Sequence, residues 1–136
     1  MVRPDTFVSV DIETTGLDSD LHEIIEIGAV KVVEGKVTAE FSELVKPEKP
    51  VPEFITRLTG ISDRDLRGAG TIRQVLPAFL DFVTGYTIIG QNIGFDVAFL
   101  RTVAGIGNFG APVDNCELAR ILLPMLPSFS LDSLID

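Results

Sequence analysis

The stretch Phe7-Val8-Ser9-Val10-Asp11-Ile12-Glu13-Thr14-Thr15-Gly16 constrains this chain more than any other. Phe7, Val8, Val10 and Ile12 carry the aromatic and β-branched content of a buried strand. Asp11 and Glu13 are two positions apart, so on a strand both carboxylates point to one face. Thr14-Thr15-Gly16 then ends the strand and frees the backbone to turn. Two like charges aimed at one spot repel, and burying them costs roughly several kcal/mol each unless something cationic lies between them. A hard divalent cation with oxygen ligands is the simplest remedy. The plainer alternative is a core strand whose polar end happens to carry two acids.

The rest of the pattern predicts an α/β chain. Ile24 to Val33 reads as a second strand, Glu34-Gly35 as a hairpin turn, and Lys36 to Val45 as a third strand, which together make an antiparallel meander. The proline-bearing segment from Lys46 to Pro52 is a loop, and Pro52 to Leu58 a short helix ended by Thr59-Gly60-Ile61. Ser62 with Asp65 resembles an N-cap pair. Thr71 caps an amphipathic helix through Ile72, Val75, Leu76, Phe79, Leu80 and Val83, and Gly85 stops it. Thr87 to Gly90 is a short buried strand, Ile93 to Ala104 a helix, and Pro112 to Asn115 an edge strand or turn. Cys116 to Leu126 is a further helix, and Ser130 caps a last one that has barely begun at Asp136. Strands followed by alternating helices and strands imply a mixed sheet with helices packed on it.

A second informative stretch runs from Ile88 to Leu100. Gln91 and Asn92 close a strand, and Asp96 falls in the first turn of the next helix. A carboxylate there is favoured by the helix dipole, typically by about 0.3–1 kcal/mol, which by itself accounts for a lone Asp. Taken with the first stretch, however, the pattern changes meaning. Asp11-Ile12-Glu13-Thr14-Thr15-Gly16 resembles the first motif of the DEDD 3′–5′ exonucleases, and Asn92, Phe95 and Asp96 match the second at its usual spacing. Gln91 stands where the family ordinarily has His; it can still donate a hydrogen bond but cannot titrate. Glu23 to Val30, Leu58-Thr59-Gly60-Ile61 and Asp114 to Pro124 are similar to further family segments in the same order.

The resemblance implies a ribonuclease-H-like mixed sheet of five strands, the first three antiparallel, with flanking helices and the last helix missing or incomplete. It implies one exonuclease-like domain over residues 1–136 that lacks the C-terminal motif. It also implies two Mg²⁺ or Mn²⁺ ions, which in such sites lie about 3.5–4 Å apart. Asp11, Glu13 and Asp96 would be catalytic metal ligands: Asp11 bridging both ions, Glu13 on the nucleophile side, Asp96 on the leaving-group side. Thr14, Thr15, Gly16, Leu17, Asn92 and Phe95 would bind substrate, the 3′ end of a single-stranded DNA or RNA. A polymerase or helicase is the implied partner or fused domain. The fourth carboxylate and the general base, which the family places on a last helix as His or Tyr followed by Asp, are not visible. His22 reads as a residue of a solvated loop, Tyr86 as a packing residue, and Asp132 as a first-turn acid. The chain is therefore expected to stop short of the full domain and to have little or no nuclease activity alone.

Charge and cysteine usage narrow the function classes. A formal net charge of −9 argues against a domain that holds nucleic acid by general electrostatic attraction. It leaves room for an enzyme that meets phosphate through bound cations. The single Cys116 fits a reducing compartment, and neither a signal peptide nor a membrane-spanning run is evident, so the chain reads as cytoplasmic. Two rival readings remain: a non-catalytic exonuclease-like domain that binds a 3′ end or a polymerase or helicase, and an unrelated metal-binding α/β domain.

Overall fold

The computed structural model describes residues 5–105 and 109–115. The expected helices over Cys116 to Leu126 and after Ser130, with Asp132, lie outside the described residues. Strand β1 (Phe7–Thr14) pairs antiparallel with β2 (Ile24–Val33), and β2 pairs antiparallel with β3 (Lys36–Lys46). Helices α1 (Glu53–Thr59) and α2 (Asp63–Leu66) follow, then the two-residue strand β4 (Gly70–Thr71). Helix α3 (Ile72–Val83), strand β5 (Ile88–Gly90), helix α4 (Ile93–Ala104) and strand β6 (Val113–Asp114) complete the order. The sheet order is β4-β3-β2-β1-β5-β6, with β4, β5 and β6 parallel to their neighbours. The five expected strands are all present. Gly70–Thr71 adds a sixth at the far edge, parallel to Val45–Lys46.

Local chemistry sets each junction. Glu34 and Gly35 both take positive φ, at 51° and 77°, which is the twist a tight hairpin between β2 and β3 needs. Ser62 and Asp65 form a capping box, with the Asp65 carboxylate accepting from the Ser62 N–H at 2.8 Å. At α3 the Gln74 side-chain oxygen accepts from the Thr71 N–H at 2.9 Å. Gly60, at φ 79°, closes α1 by donating its N–H to Thr56.

Alternation along β1 sends Val8, Val10, Ile12 and Thr14 to the buried face and leaves Asp11 and Glu13 on the other. The main core joins that buried face to Ile27 and Ala29 of β2, Val75, Phe79 and Val83 of α3, and Ile93, Val97 and Leu100 of α4. A second cluster seats α1 and α2 through Ile25, Val51, Ile55, Ile61 and Leu66. Lys31 lies over the rings of Phe82 and Tyr86, at 4.4 and 4.5 Å from their centroids, which ties β2 to the C-terminal end of α3. Among the described residues no helix is long and apolar enough to cross a membrane.

Two features place the functional end of the sheet. Strand β1 pairs with β5 only at Val8 and Ser9, so Asp11 to Glu13 run on past the end of β5. Gly90, the last residue of β5, passes close to β1. A β-carbon there would lie 2.7 Å from the Val10 carbonyl oxygen and 2.7 Å from Ile93 Cδ1. Gly90→Ala is expected to lower stability by about 1–3 kcal/mol, because backbone on one side cannot yield. Gly94→Ala, with nothing within 4 Å of its added carbon, is expected to raise stability by about 0.5 kcal/mol. Urea midpoints of the two variants check both signs.

Candidate active site

The open notch beyond β5 is filled by α4. Two residues, Gln91 and Asn92, separate β5 from α4, and Asn92 adopts the left-handed conformation (φ 52°, ψ 45°) that Asn tolerates better than most residues. One turn later Asp96 points back at β1. It is 4% exposed and the most enclosed acid of the site. The backbone N–H of Ile12 faces its carboxyl, whereas its second oxygen, Oδ2, is buried with no hydrogen-bond partner. Such an orphaned oxygen is costly in an interior, on the order of 1–3 kcal/mol, unless another group completes it.

Asp11 and Glu13 face the same spot, as alternation requires. Across the β1–β2 ladder Asp11 lies opposite Gly28 and Glu13 opposite Glu26, so neither meets a cation there. All three carboxyls are pushed above the ordinary carboxylate range. For Asp96 burial acts first, then the charges of Asp11 and Glu13; the Ile12 N–H opposes them, Asp114 adds a last repulsion, and the net shift takes it to about 8. For Asp11 desolvation raises and the Ile12 N–H lowers. For Glu13 desolvation leads, followed by the charges of Asp11 and Glu26. The structure thus brings the three expected acids into mutual repulsion.

Repulsion of this kind, with hard oxygen donors, suits a divalent cation. Asp96 Oδ2 is the donor the protein itself leaves without a partner. Among the described residues, however, no three His, Cys, Asp or Glu side chains are gathered tightly enough to hold one ion. Donor chemistry and charge therefore fit a hard cation, while the ligand set is open.

Beside Glu13 lies a cavity of about 620 Å³. Thr14, Thr15, Gly16, Leu17 and Phe95, all expected at the substrate site, line it. Asn92 is not among its lining residues, and its backbone serves the start of α4 instead. The Thr14 and Thr15 hydroxyls are spent inside the protein. Thr14 Oγ1 donates to the Gly16 carbonyl at 2.6 Å, and Thr15 Oγ1 accepts from the Glu23 N–H at 3.0 Å. They hold the turn in shape beside the cavity. His22, read from sequence as a loop residue, stacks against Gly16 so closely that a β-carbon there would collide with its ring. It also lines the cavity. Phe54 and Leu58 of α1 complete the opposite wall and are 59% and 79% exposed, beside Leu17 at 86%. Only the Leu58-Thr59-Gly60-Ile61 resemblance hinted at this wall from sequence; exposed apolar residues on a short helix carry no periodic signal of their own.

The raised carboxyls give a stability signature. A carboxyl whose folded pKa exceeds its unfolded one stabilises the fold fully below the unfolded pKa and loses that contribution as pH rises through the folded value. For Asp96 the window runs from near 4 to about 8. In metal-free buffer, stability is expected to fall across that window, with a slope approaching about 1.4 kcal/mol per pH unit for one proton. Asp96→Asn, measured by urea denaturation at a series of pH values, should flatten it.

Comparison with known proteins agrees with this geometry. The profile of the RNase_T exonuclease family matches residues 8–134. The chain is 41% identical over 133 residues to the PolC-type DNA polymerase III of Caldanaerobacter subterraneus subsp. tengcongensis, and 41% identical over 135 residues to that of Thermotoga maritima. These matches cover 96% of this chain and 10% of each relative, so the chain spans about a tenth of the length of the curated relatives it matches. Among solved structures, Exonuclease X in complex with 5′-overhanging duplex DNA superposes with a TM-score of 0.74 at 26% identity, over 94% of this chain and 70% of that one. Escherichia coli Exonuclease I in complex with a dT13 oligonucleotide gives a TM-score of 0.80 at 22% identity, over 96% of this chain and 35% of that one, a likeness of fold. The sheet, the acid-bearing first strand and the match along nearly the whole chain lead to one conclusion: this chain belongs to the DEDD exonuclease family, as an exonuclease domain homologous to that of PolC-type polymerases.

Proposed function

We propose that residues 1–136 carry the acid-bearing part of a metal-dependent 3′–5′ exonuclease domain, one that removes nucleotides from the 3′ end of a single-stranded DNA or RNA, with little or no activity of these residues alone. The observation that carries the reading is the buried, half-satisfied carboxyl of Asp96 beside Asp11 and Glu13, of which Glu13 lines an apolar cavity. The exonuclease family works in general with divalent metal ions. In this reading Mg²⁺ or Mn²⁺ supplies an activated water and charge neutralisation at the phosphate. Asp11, Glu13 and Asp96 are the acids that would hold it. In this reading the cation, and with it the scissile phosphate, would sit beside these acids. The Thr14–Leu17 turn and Phe95 receive the terminal nucleotide in the cavity, where apolar surface accepts a base without reading its sequence. With PolC-type relatives, a polymerase is the natural partner or fused neighbour, in a cytoplasmic setting.

A second reading is supported by the open ligand set among the described residues. In that reading the domain keeps the fold and binds a 3′ end or a polymerase or helicase without cleaving. The two separate on Mn²⁺-dependent release of nucleotides from a 3′-labelled single strand, measured for this chain and for a C-terminally extended version. Activity in the extended version, lowered at least about a hundredfold by Asp11→Ala, is the expected outcome. An extended version with no activity would leave the binding role.

A further inference from the structure

The position of Asp96 is set by where α4 begins, and α4 begins in an unusual way. Its N-cap residue, Asn92, makes no capping bond with its own side chain. Its left-handed backbone instead turns the N–H outward, and that N–H donates to Asp114 Oδ1 at 3.1 Å. Asp114 arrives from β6, in register with Gly90 on β5, so it comes from the strand beside the turn and not from the helix. The first turn of α4 is then closed by the Phe95 N–H on the Asn92 carbonyl at 3.1 Å. Asp96 is the next residue. Gly90 brings the start of this two-residue connection against the Val10 carbonyl.

We propose that Asp114 is a positioning residue for the active site: its carboxylate holds the left-handed Asn92 turn and thereby aims Asp96 at Asp11 and Glu13. It acts as a hydrogen-bond acceptor, one shell behind the acids that meet the cation. The inference rests on the exonuclease reading for its consequence, but the contact itself stands without it. Outer-shell partners of metal ligands are commonly worth about 10–100-fold in metal affinity or activity. Asp114 also adds a like charge near Asp96, the smallest of the influences on that carboxyl. The amide of Asn retains the accepting oxygen and drops the charge, so Asp114→Asn separates the two effects, whereas Asp114→Ala removes both.

The test compares Asp114→Ala, Asp114→Asn and wild type by two measurements. One is amide hydrogen exchange at Asn92 and in the first turn of α4. The other is Mn²⁺ affinity from the mass-action rise in melting temperature. The expected result is faster exchange and about tenfold weaker Mn²⁺ binding for Asp114→Ala, with Asp114→Asn within about threefold of wild type on both. Equal losses in the two variants would overturn the proposal, because charge and not the accepted N–H would then be responsible. So would no change in either. Should Asp114→Ala fail to fold, Asp114→Asn decides alone: near-wild-type exchange and affinity support the acceptor role, and a tenfold loss ends it. A wild type that binds no Mn²⁺ would count against the exonuclease reading, while the exchange pattern would still judge Asp114.

Discussion

Three mutually repelling carboxylates, one of them buried, create the constraint that the rest of this structure answers. Asp96 is enclosed, Asp11 and Glu13 share the adjacent strand face, and every one of them is held above its ordinary pKa. A fold optimised for stability alone would not assemble that arrangement, since each acid is driven toward its neutral form by burial and by its neighbours. The sheet tolerates it because the repulsion is local. Apolar side chains of β1, β2, α3 and α4 back the cluster on the opposite face and absorb the cost. Raised carboxyl pKa values in a cleft mark a functional site rather than a structural one.

The backbone around the acids is arranged for close approach. Strand β5 is short, ends in a glycine that meets the Val10 carbonyl, and hands over to α4 through two residues. The parallel pairing of β1 with β5 stops before Asp11, and this leaves room for Asp96 at the carboxyl ends of the strands, where open α/β sheets commonly place their ligands. On the other side the Thr14–Gly16 turn is pinned by its own hydroxyls and by the ring of His22. The Thr14–Gly16 turn and Glu13 thus line one cavity beside the other two acids.

Much of this was legible in the sequence, for identifiable reasons. The meander of β1 to β3 shows because β-branched runs and the Glu34-Gly35 turn are local signals. Helix α4 was legible to its end residues because Gly105 and the core spacing of Val97, Leu100 and their neighbours bound it. Asp11, Glu13 and Asp96 stood out by resemblance, and the structure brings them together. What stayed hidden is non-local. Strand β4 is two residues long, too short for any period to declare it. The contact between Asp114 and Asn92 spans 22 positions, and no pattern along the chain announces it. Phe54 and Leu58 are exposed apolar residues whose meaning depends on what lies across the cavity from them.

The acidic balance of the chain is consistent with this organisation. A net charge of −9 repels a polyanion, so the protein surface cannot itself supply the attraction that brings a nucleic-acid strand to the site. The cavity offers a different basis for contact. Its lining is dominated by Leu17, Phe54, Ile55, Leu58 and Phe95, uncharged apolar side chains. On the proposed exonuclease reading, apolar contact in the cavity and cations at the acid cluster would together hold a 3′ terminus, the base by packing and the phosphate by charge.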